Sequence, residues 1–211
     1  PDAIDAGPGD DAVRAADDSA DSVDCGPGSD TVYVEVEAPA RDVLANCEAV
    51  VQVPAEGAND SAAPRQVRGT AGDDRLSGTD RDDSLFGRAG ADRLFGRGGD
   101  DYVDGGSGPD ELHGGPGDDT MAGRRGDDTV YGDAGNDRIT GDRGRDRLFG
   151  GPGNDVLFGN IGADRLDGGP GADRINVVHG GRDRVSCGPG RDVVFAEPID
   201  RVASDCESVR R

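Results

Sequence analysis

The feature that most constrains the fold is a nine-residue repeat that runs without a gap from residue 69 to residue 176. Position 1 of the repeat is Gly, and position 6 is Asp, in all twelve blocks. Position 4 is Gly in every block except one, where Arg81 stands, and position 8 is always Leu, Val, Ile or Met. Such a strict period indicates an array of similar units stacked on one another.

Each block predicts a tight loop followed by a short strand. Positions 7 to 9 suit a three-residue strand, whose middle side chain points to the opposite face from its two neighbours, so the aliphatic residue faces inward. Positions 1 to 6 form the loop, in which Gly at positions 1 and 4 permits positive φ and close backbone approach. Arg81 is expected to mark a weaker loop, because a side chain at positive φ is strained.

The composition excludes several classes of protein. The formal net charge is −21, which repels the phosphate backbone of nucleic acids, so no nucleic-acid partner is expected. No apolar run reaches the length of a membrane span, which needs about 18 residues or more. Only 33% of the residues are hydrophobic, and a single block cannot bury its own aliphatic side chain. The units are therefore predicted to stack into a solenoid.

The blocks resemble the haemolysin-type calcium-binding repeat, also called the RTX nonapeptide, with the pattern GGxGxDxUx. The resemblance is close over residues 69–195 and looser over 1–53. It implies an all-β fold, a right-handed parallel β-roll in which two blocks make one turn of a two-sheet solenoid. It also implies that Ca²⁺ binds between loops of successive turns on the same side, held by the Asp carboxylates and by loop carbonyls.

The resemblance assigns the metal ligands by position. Twelve come from the uninterrupted array, and four more occupy the same place in flanking blocks. They are Asp74, Asp83, Asp92, Asp101, Asp110, Asp119, Asp128, Asp137, Asp146, Asp155, Asp164 and Asp173, followed by Asp183, Asp192, Asp11 and Asp30.

The chemistry of these residues favours calcium independently of the resemblance. Ca²⁺ is a hard cation that takes six to eight oxygen ligands, and carboxylates and carbonyls supply them. The sequence contains no His/Cys cluster with the spacing of a zinc site. A column of stacked carboxylates repels itself unless cations neutralise it. Pairing each block with the block two further on predicts about ten ions in the main roll, which would reduce the formal charge to about −1.

The two ends of the chain carry copies of one cap module. The segment 21–32 resembles 183–194, and the segment 42–50 resembles 200–209. The phase of the repeat slips by one residue after Asn176. The four cysteines allow three pairings, and the duplication favours the local pairs, Cys25 with Cys47 and Cys187 with Cys206. Free thiols or a metal site are the alternatives.

The domain organisation follows from these boundaries. Residues 1–53 are predicted to form a short N-terminal repeat unit with a cysteine cap, and 54–68 a linker, because that stretch lacks the repeat and is rich in Ala and Pro. Residues 69–195 are the main roll and 196–211 the C-terminal cap. Because the chain begins with Pro1, a further segment is expected upstream.

A line of aromatic side chains is predicted on one outer face. Position 9 of alternate blocks places Phe95, His113, Tyr131 and Phe149 on consecutive rungs. One interpretation is cross-strand stacking that stabilises the sheet. The other is a flat contact strip for a glycan, a cell-surface component or a partner domain.

The sequence shows no catalytic motif. It contains neither a Gly-x-Ser-x-Gly elbow nor a His-Glu-x-x-His motif, and the repeat explains nearly every Asp. We therefore expect a non-enzymatic, calcium-binding protein that bacteria secrete and that folds outside the cell, with a structural or adhesive role. Two alternatives stay open. The chain is the accessory region of a larger secreted enzyme, similar to the tail of serralysin-like proteases or attached to a polysaccharide-active enzyme, or it is an enzyme itself.

Overall fold

The computed structural model describes residues 65–211 throughout and, before them, only the backbone of six short strands. These are β1 (Ala3–Asp5), β2 (Ala12–Ala15), β3 (Ser22–Asp24), β4 (Thr31–Glu35), β5 (Val43–Ala45) and β6 (Ala49–Val53).

Seventeen further strands follow in the continuous part, and it contains no helix that could span a membrane. They are β7 (Arg65–Arg68), β8 (Arg75–Ser77), β9 (Asp83–Ala89), β10 (Arg93–Phe95), β11 (Tyr102–Ser107), β12 (Glu111–Pro116), β13 (Thr120–Arg125), β14 (Thr129–Ala134), β15 (Arg138–Arg143), β16 (Arg147–Phe149), β17 (Val156–Ile161), β18 (Arg165–Asp167), β19 (Arg174–Asn176), β20 (Arg184–Ser186), β21 (Val193–Phe195), β22 (Arg201–Val202) and β23 (Ser208–Arg210).

From β7 onward, successive strands alternate between two sheets, which makes residues 65–211 a parallel two-sheet solenoid. In the N-terminal part, β1, β3 and β5 form a separate three-stranded sheet. The even-numbered strands from β2 to β22 form an eleven-stranded sheet, and the odd-numbered strands from β7 to β23 form a nine-stranded sheet. Within each sheet, neighbouring strands are parallel and lie two apart in chain order. Leu94 lies opposite Leu76 on one side and Leu112 on the other, so one turn consists of two blocks of the repeat. The predicted all-β roll is confirmed.

The core is a single file of aliphatic side chains from each sheet. Position 8 is buried in every block of the array, as predicted, and β7 adds Val67 to the same file. The buried members of the array are Leu76, Leu85, Leu94, Val103, Leu112, Met121, Val130, Ile139, Leu148, Leu157, Leu166 and Ile175. Because the core is only one side chain deep per strand, loop contacts must contribute much of the stability.

The loops absorb irregularities of length. Leu166 lies opposite Val185, one position beyond the regular spacing of two blocks, because the loop 177–183 contains one extra residue. The phase slip predicted after Asn176 is thus confirmed. The loops 196–200 and 204–207 are shorter than the standard loop, yet the strands that follow them stay in register.

The main roll begins earlier than residue 69. Arg65–Arg68, which the sequence analysis placed in the linker, form β7 and pair with β9, because Val67 fills the aliphatic position opposite Leu85. Strand β6 pairs with β8, so strands of the N-terminal unit share the eleven-stranded sheet. Residues 54–64 lie outside the described residues.

The C-terminal end carries the predicted disulfide between Cys187 and Cys206. The other predicted pair, Cys25 and Cys47, lies outside the described residues. The Cys187 side chain is buried in the core, so the bond ties the last loop of the roll to the row of aliphatic residues.

The variant Cys206→Ser tests the role of this cap. Loss of a cross-link between positions 19 apart in the sequence is expected to destabilise the C-terminal rungs by about 3 kcal/mol. Hydrogen exchange at saturating calcium should accelerate in β20–β23 and stay slow in β11–β15, because rungs draw their stability from nearest neighbours. Equal acceleration in both regions would show that the cap is needed for the whole roll.

Candidate metal centre

Every described loop of the array ends on a buried Asp carboxylate. The fourteen predicted ligands from Asp74 to Asp192 are at most 4% exposed. The loops that lead into the eleven-stranded sheet form the first edge of the roll, and those that lead into the nine-stranded sheet form the second edge. The first edge stacks Asp74, Asp92, Asp110, Asp128, Asp146, Asp164 and Asp183, and the second edge stacks Asp83, Asp101, Asp119, Asp137, Asp155, Asp173 and Asp192. Asp11 and Asp30 lie outside the described residues.

One oxygen of each carboxylate links successive turns. The backbone N–H of Asp110 donates to Oδ1 of Asp128 at 2.9 Å, and that of Asp128 donates to Oδ1 of Asp146 at 2.9 Å. The same bond, between 2.7 and 2.9 Å, recurs on both edges from Asp74 to Asp192. Each Asp carboxylate thereby links its own turn to the backbone of the turn before it.

The other oxygen has no partner. From Asp92 to Asp192, Oδ2 of each of the twelve predicted ligands is buried and accepts no hydrogen bond. A buried carboxylate oxygen without a partner is strongly destabilising, and native proteins rarely leave one so. Twelve of them in two regular columns are oxygen donors that a row of cations would satisfy.

Position 1 of each loop explains where that partner fits. A Cβ atom at Gly132 would overlap Oδ2 of Asp137 and the carbonyl oxygen of Gly150, one turn later. Gly87, Gly96 and Gly114 have the same relation to their own Asp and to the next turn. The regular spacing of the repeat thus leaves a cradle in which a carboxylate oxygen and a carbonyl oxygen converge.

The loop conformation differs in one respect from expectation. Positive φ occurs at position 4, as predicted, for example at Gly126 (141°), where a side chain would also overlap the carbonyl oxygen of Gly108. At position 1, however, Gly serves close approach and not positive φ. The second positive φ is at position 2, where non-glycine residues such as Arg88 (83°) and Asp133 (70°) adopt it.

The electrostatics of the columns oppose ionisation in the absence of metal. Burial, with a smaller contribution from neighbouring carboxylates, raises the pKa of Asp128 to about 6 and that of Asp146 to about 7. The same causes raise the pKa of Asp110 and Asp137 to about 7. A bound cation would remove this penalty, since it favours the charged form.

These donors fit Ca²⁺. Nowhere in residues 65–211 do three His, Cys, Asp or Glu side chains come together, so a metal must take most of its ligands from the backbone. The Oδ2 atoms of the columns and the carbonyls of the loops are all hard oxygens, the donors that Ca²⁺ prefers. Ca²⁺ also accepts irregular geometry, whereas Mg²⁺ demands a near-ideal octahedron.

The columns end differently at the two ends of the roll. In the first described turn, Thr70 donates its N–H to Oδ2 of Asp74 at 2.6 Å, and Thr79 donates its N–H to Oδ2 of Asp83 at 2.6 Å. The Thr hydroxyls donate to the same oxygens. At the C-terminal end, buried side chains replace Gly at position 1, namely Val177 and Cys187. At the N-terminal end Gly69 and Gly78 keep the cradle, but Thr already occupies the carboxylate oxygen in it; at the C-terminal end the glycine itself is replaced.

Sequence analysis missed two carboxylates that complete the columns. Oδ1 of Asp200 accepts the N–H of Asp183 at 3.1 Å, and Oε2 of Glu207 accepts the N–H of Asp192 at 2.9 Å. Their loops are shortened, so the nine-residue period does not reach them. The signal that could have found them is the strand that follows, with Val202 and Val209 at the aliphatic position.

Arg81 does not behave as predicted. It stands at position 4, but its φ is not positive, so the strain proposed for its side chain is absent. Its loop is instead closed by the bonds from Thr79 to Asp83. The neighbouring loop with Thr at position 2, residues 69–74, shows the same closure, which indicates that Thr selects this alternative conformation.

The aromatic side chains form a continuous stack. The ring centroids of Phe95 and His113 are 5.1 Å apart, those of His113 and Tyr131 4.7 Å, and those of Tyr131 and Phe149 5.0 Å, with interplanar angles of 8° to 13°. Arg75 covers the outer face of Phe95 at 4.6 Å. Because neighbours cover the ring faces, the geometry favours cross-strand stabilisation over a flat contact strip along the whole row.

Substitution of Asp128 by Asn separates the two tasks of the carboxylate. The amide oxygen of Asn still accepts the N–H of Asp110, whereas an NH₂ group that cannot bind a cation replaces the unpartnered oxygen. We expect the calcium midpoint of folding to rise about tenfold, since sites on both sides lose a ligand.

The matched control is Asp74→Asn, because Thr70 already saturates that carboxylate. Its calcium midpoint, measured by circular dichroism, should change less than twofold, a range within the few tenths of a kcal/mol typical of neutral positions. Equal midpoints for the two variants would contradict the assignment of the metal to the columns between Asp92 and Asp192.

Comparison with known proteins agrees with this geometry. The family model of the RTX calcium-binding nonapeptide repeat matches residues 68–103, 77–112, 104–139, 113–148 and 140–175. Together the matches cover residues 68–175, about half of the chain. No curated protein matches the chain.

Proposed function

Because the chain belongs to the RTX calcium-binding nonapeptide repeat family, we propose that it is a calcium-ion-binding protein whose roll folds only when the carboxylate columns are filled. The observation that carries this proposal is the pair of columns of buried, unpartnered Oδ2 atoms. Cations bound there would satisfy these oxygens and would link each turn to the next, so binding free energy becomes folding free energy.

The number of ions follows from the gaps between unpartnered carboxylates. Each edge has six carboxylates whose Oδ2 is unpartnered, from Asp92 to Asp183 on the first edge and from Asp101 to Asp192 on the second. Five gaps per edge predict about ten ions in the main roll. At one end the columns stop at the loops in which Thr70 and Thr79 occupy the carboxylate oxygen. At the other end they stop where the buried side chains of Val177 and Cys187 replace glycine.

Equilibrium dialysis against ⁴⁵Ca²⁺ tests this function. We expect about ten ions per chain, taken up cooperatively over the same range of calcium in which the β signal appears. A stoichiometry of zero to two, or binding without any change in structure, would contradict the proposal. Replacement of Thr79 by Val should not reduce the number of bound ions, because the gap between Asp83 and Asp101 is not one of the ten predicted sites.

We further propose that the protein works outside the bacterial cell, in a structural or adhesive role and without catalysis of its own. A disulfide is compatible with an oxidising compartment, and the buried cap bond between Cys187 and Cys206 fits that setting. Extracellular calcium is also high enough to fill weak sites, which range to millimolar dissociation constants.

The alternative is that the roll is the non-catalytic accessory region of a larger secreted protease or polysaccharide-active enzyme. The gene sequence upstream of Pro1 distinguishes the two proposals. A signal peptide directly before the roll supports the stand-alone role, and a catalytic domain supports the accessory role. Assay of the calcium-loaded chain on casein and on acidic polysaccharides should detect no turnover under either proposal.

A further inference from the structure

A slot lies between two phenylalanine rings on the outer face of the nine-stranded sheet. Phe158 lies opposite Asn176 in the ladder, and Asn176 lies opposite Phe195, so the two Phe residues are two rungs apart. Adjacent rungs are about 4.8 Å apart, which separates the two rings by about 9.6 Å. All three side chains line one pocket of about 300 Å³. We call the space above Asn176 and between the two rings the phenylalanine slot.

The aromatic stack on the other sheet shows what a slot of this width holds. There, Phe95 and Tyr131 are also two rungs apart, and the ring of His113 lies 5.1 Å from the first and 4.7 Å from the second. In the phenylalanine slot, a short side chain stands where the middle ring would be. One planar ring therefore fits between Phe158 and Phe195 with stacking contact on both of its faces.

The two ring faces that border the slot are open. Arg138 covers the ring of Phe158 at 4.7 Å, and Arg210 covers that of Phe195 at 5.5 Å. Arg138 belongs to the rung before Phe158, and Arg210 belongs to the rung after Phe195. Both guanidinium groups therefore lie on the sides away from Asn176. In the part of the chain that the structure describes, no aromatic ring stacks on either Phe.

An unpaired arginine stands beside the slot. Arg174 precedes Asn176 by two residues on β19, so both side chains point outward. Its neighbours across the ladder are Val156 and Val193. Among the described residues, the Arg174 guanidinium has no ion-pair partner and donates no hydrogen bond. Two polar side chains are thus framed by two Val and two Phe, an arrangement typical of a small-molecule site.

The charge of this surface is opposite to that of the whole chain, whose formal net charge is −21. The outward residues at positions 7 and 9 of β15, β17, β19, β21 and β23 include three arginines and no carboxylate. They are Arg138, Thr140, Val156, Phe158, Arg174, Asn176, Val193, Phe195, Ser208 and Arg210. A surface of this kind attracts an anion and repels a cation.

Asn176 supplies a second donor at the base of the slot. Its Oδ1 accepts the N–H of Val178 at 2.9 Å, which orients the carboxamide and leaves its NH₂ group to donate. The Arg174 guanidinium offers further N–H donors on the same strand. A carboxylate can accept from both groups at once, and such charge-assisted bonds are stronger than neutral ones.

We propose that the phenylalanine slot binds a small planar aromatic carboxylate. The ring of the ligand stacks between Phe158 and Phe195, and its carboxylate accepts hydrogen bonds from Arg174 and Asn176. The site is separate from the carboxylate columns, which lie on the two edges of the roll, and it adds a ligand to the proposed calcium binding.

The slot depends on the folded roll, and in this respect the inference rests on the proposed function. Its two walls come from different turns of the chain, and only the ladder aligns them. The ligand should therefore bind in calcium and not in EDTA. By linkage, the ligand should in turn lower the calcium midpoint of folding.

The test uses the full chain in excess calcium, with indole-3-acetate as the probe. The chain contains no Trp, so indole fluorescence reports on the probe alone, and its anisotropy should rise on binding. Arg174→Gln should lower the association constant about tenfold, because a charge-assisted bond is lost. The matched control is Arg165→Gln, an exposed arginine at the same position of the eleven-stranded sheet, which should bind like the wild type.

A second variant fills the slot. Asn176→Phe places a ring between Phe158 and Phe195, as His113 lies in the stack on the other sheet. This variant should fold at the same or lower calcium concentration and should not bind indole-3-acetate. Unchanged binding in either Asn176→Phe or Arg174→Gln would overturn the inference.

Competition measurements test the chemical class of the ligand. Benzoate should displace indole-3-acetate. Cyclohexanecarboxylate, which has the same charge but a puckered ring, should compete at least tenfold more weakly, and so should neutral benzyl alcohol. Equal competition by benzoate and cyclohexanecarboxylate would show that the slot does not select a planar ring and would contradict the proposal.

Circular dichroism distinguishes failure of this inference from failure of the proposed function. If the wild-type chain and Asn176→Phe both fold in calcium but indole-3-acetate does not bind the wild type, only the aromatic site is wrong. If calcium does not fold the wild-type chain, the proposed function is wrong.

Discussion

Removal of calcium is expected to convert the β-roll into a largely unstructured chain. Far-ultraviolet circular dichroism in EDTA should show the spectrum of a coil, and millimolar calcium should restore the β signal cooperatively. The reason is that the core holds one aliphatic side chain per strand, while thirteen buried carboxylate oxygens lack any partner without a cation. Such a group is destabilising by about 1–3 kcal/mol or more when it is left unsatisfied.

Magnesium is the matched control for this experiment. It carries the same charge, so it would screen the columns equally, but it is smaller and holds its water more tightly. We expect less than a tenth of the structural gain that calcium produces at the same concentration, since the cradle offers irregular carbonyl and carboxylate oxygens. A β spectrum that EDTA leaves unchanged would refute the dependence on metal.

Acid is expected to replace calcium in part. In the folded chain without metal, burial raises the pKa of Asp101 and Asp173 to about 7 and that of Asp92 and Asp155 to about 6, against an ordinary value of 3.8. The folded state therefore binds more protons than the unfolded state between about pH 4 and pH 7. Stability of the metal-free roll should rise as the pH falls through this window and be lowest above it.

The measurement is a pH titration of the β signal in EDTA, from pH 8 to pH 4. A gain of β structure on acidification is expected, and it should level off near pH 4, where the unfolded chain also becomes protonated. With calcium present the direction is reversed, because protons and Ca²⁺ compete for the same oxygens, and the calcium midpoint should rise about tenfold or more from pH 8 to pH 5. A chain that stays unstructured in EDTA at every pH would contradict this account.

The strand positions could be predicted because the same two residues of each block, one buried aliphatic and one buried Asp, fix where its strand begins and which way it faces. The aliphatic residue at position 8 and the Asp at position 6 recur at a fixed spacing, and each keeps its role from Asp92 to Asp192. The burial of these two residues depends only on the sequence of the block and on the stacking of each turn on the next. The duplication of the cap module, and not the period, predicted the disulfide between Cys187 and Cys206.

The loop details could not be predicted from the period alone. Positive φ at position 2 is adopted by Arg88 and Asp133, so residue type there carries no signal comparable to Gly at position 4. The closure of two loops by Thr70 and Thr79 depends on hydrogen bonds that compete with a metal site. Asp200 and Glu207 complete the columns from shortened loops, which a nine-residue frame cannot find.

The alternation of strands between two sheets restricts how such a gene can change length. Loss of one block would transfer every downstream strand to the opposite sheet. Loss of the block 150–158, for example, would move Arg165 to the nine-stranded sheet, where it would no longer lie opposite Arg147. Loss of two blocks would leave all faces as they are. Duplication and deletion of two-block units is therefore the tolerated step, whereas single extra residues, as in loop 177–183, can be absorbed one at a time.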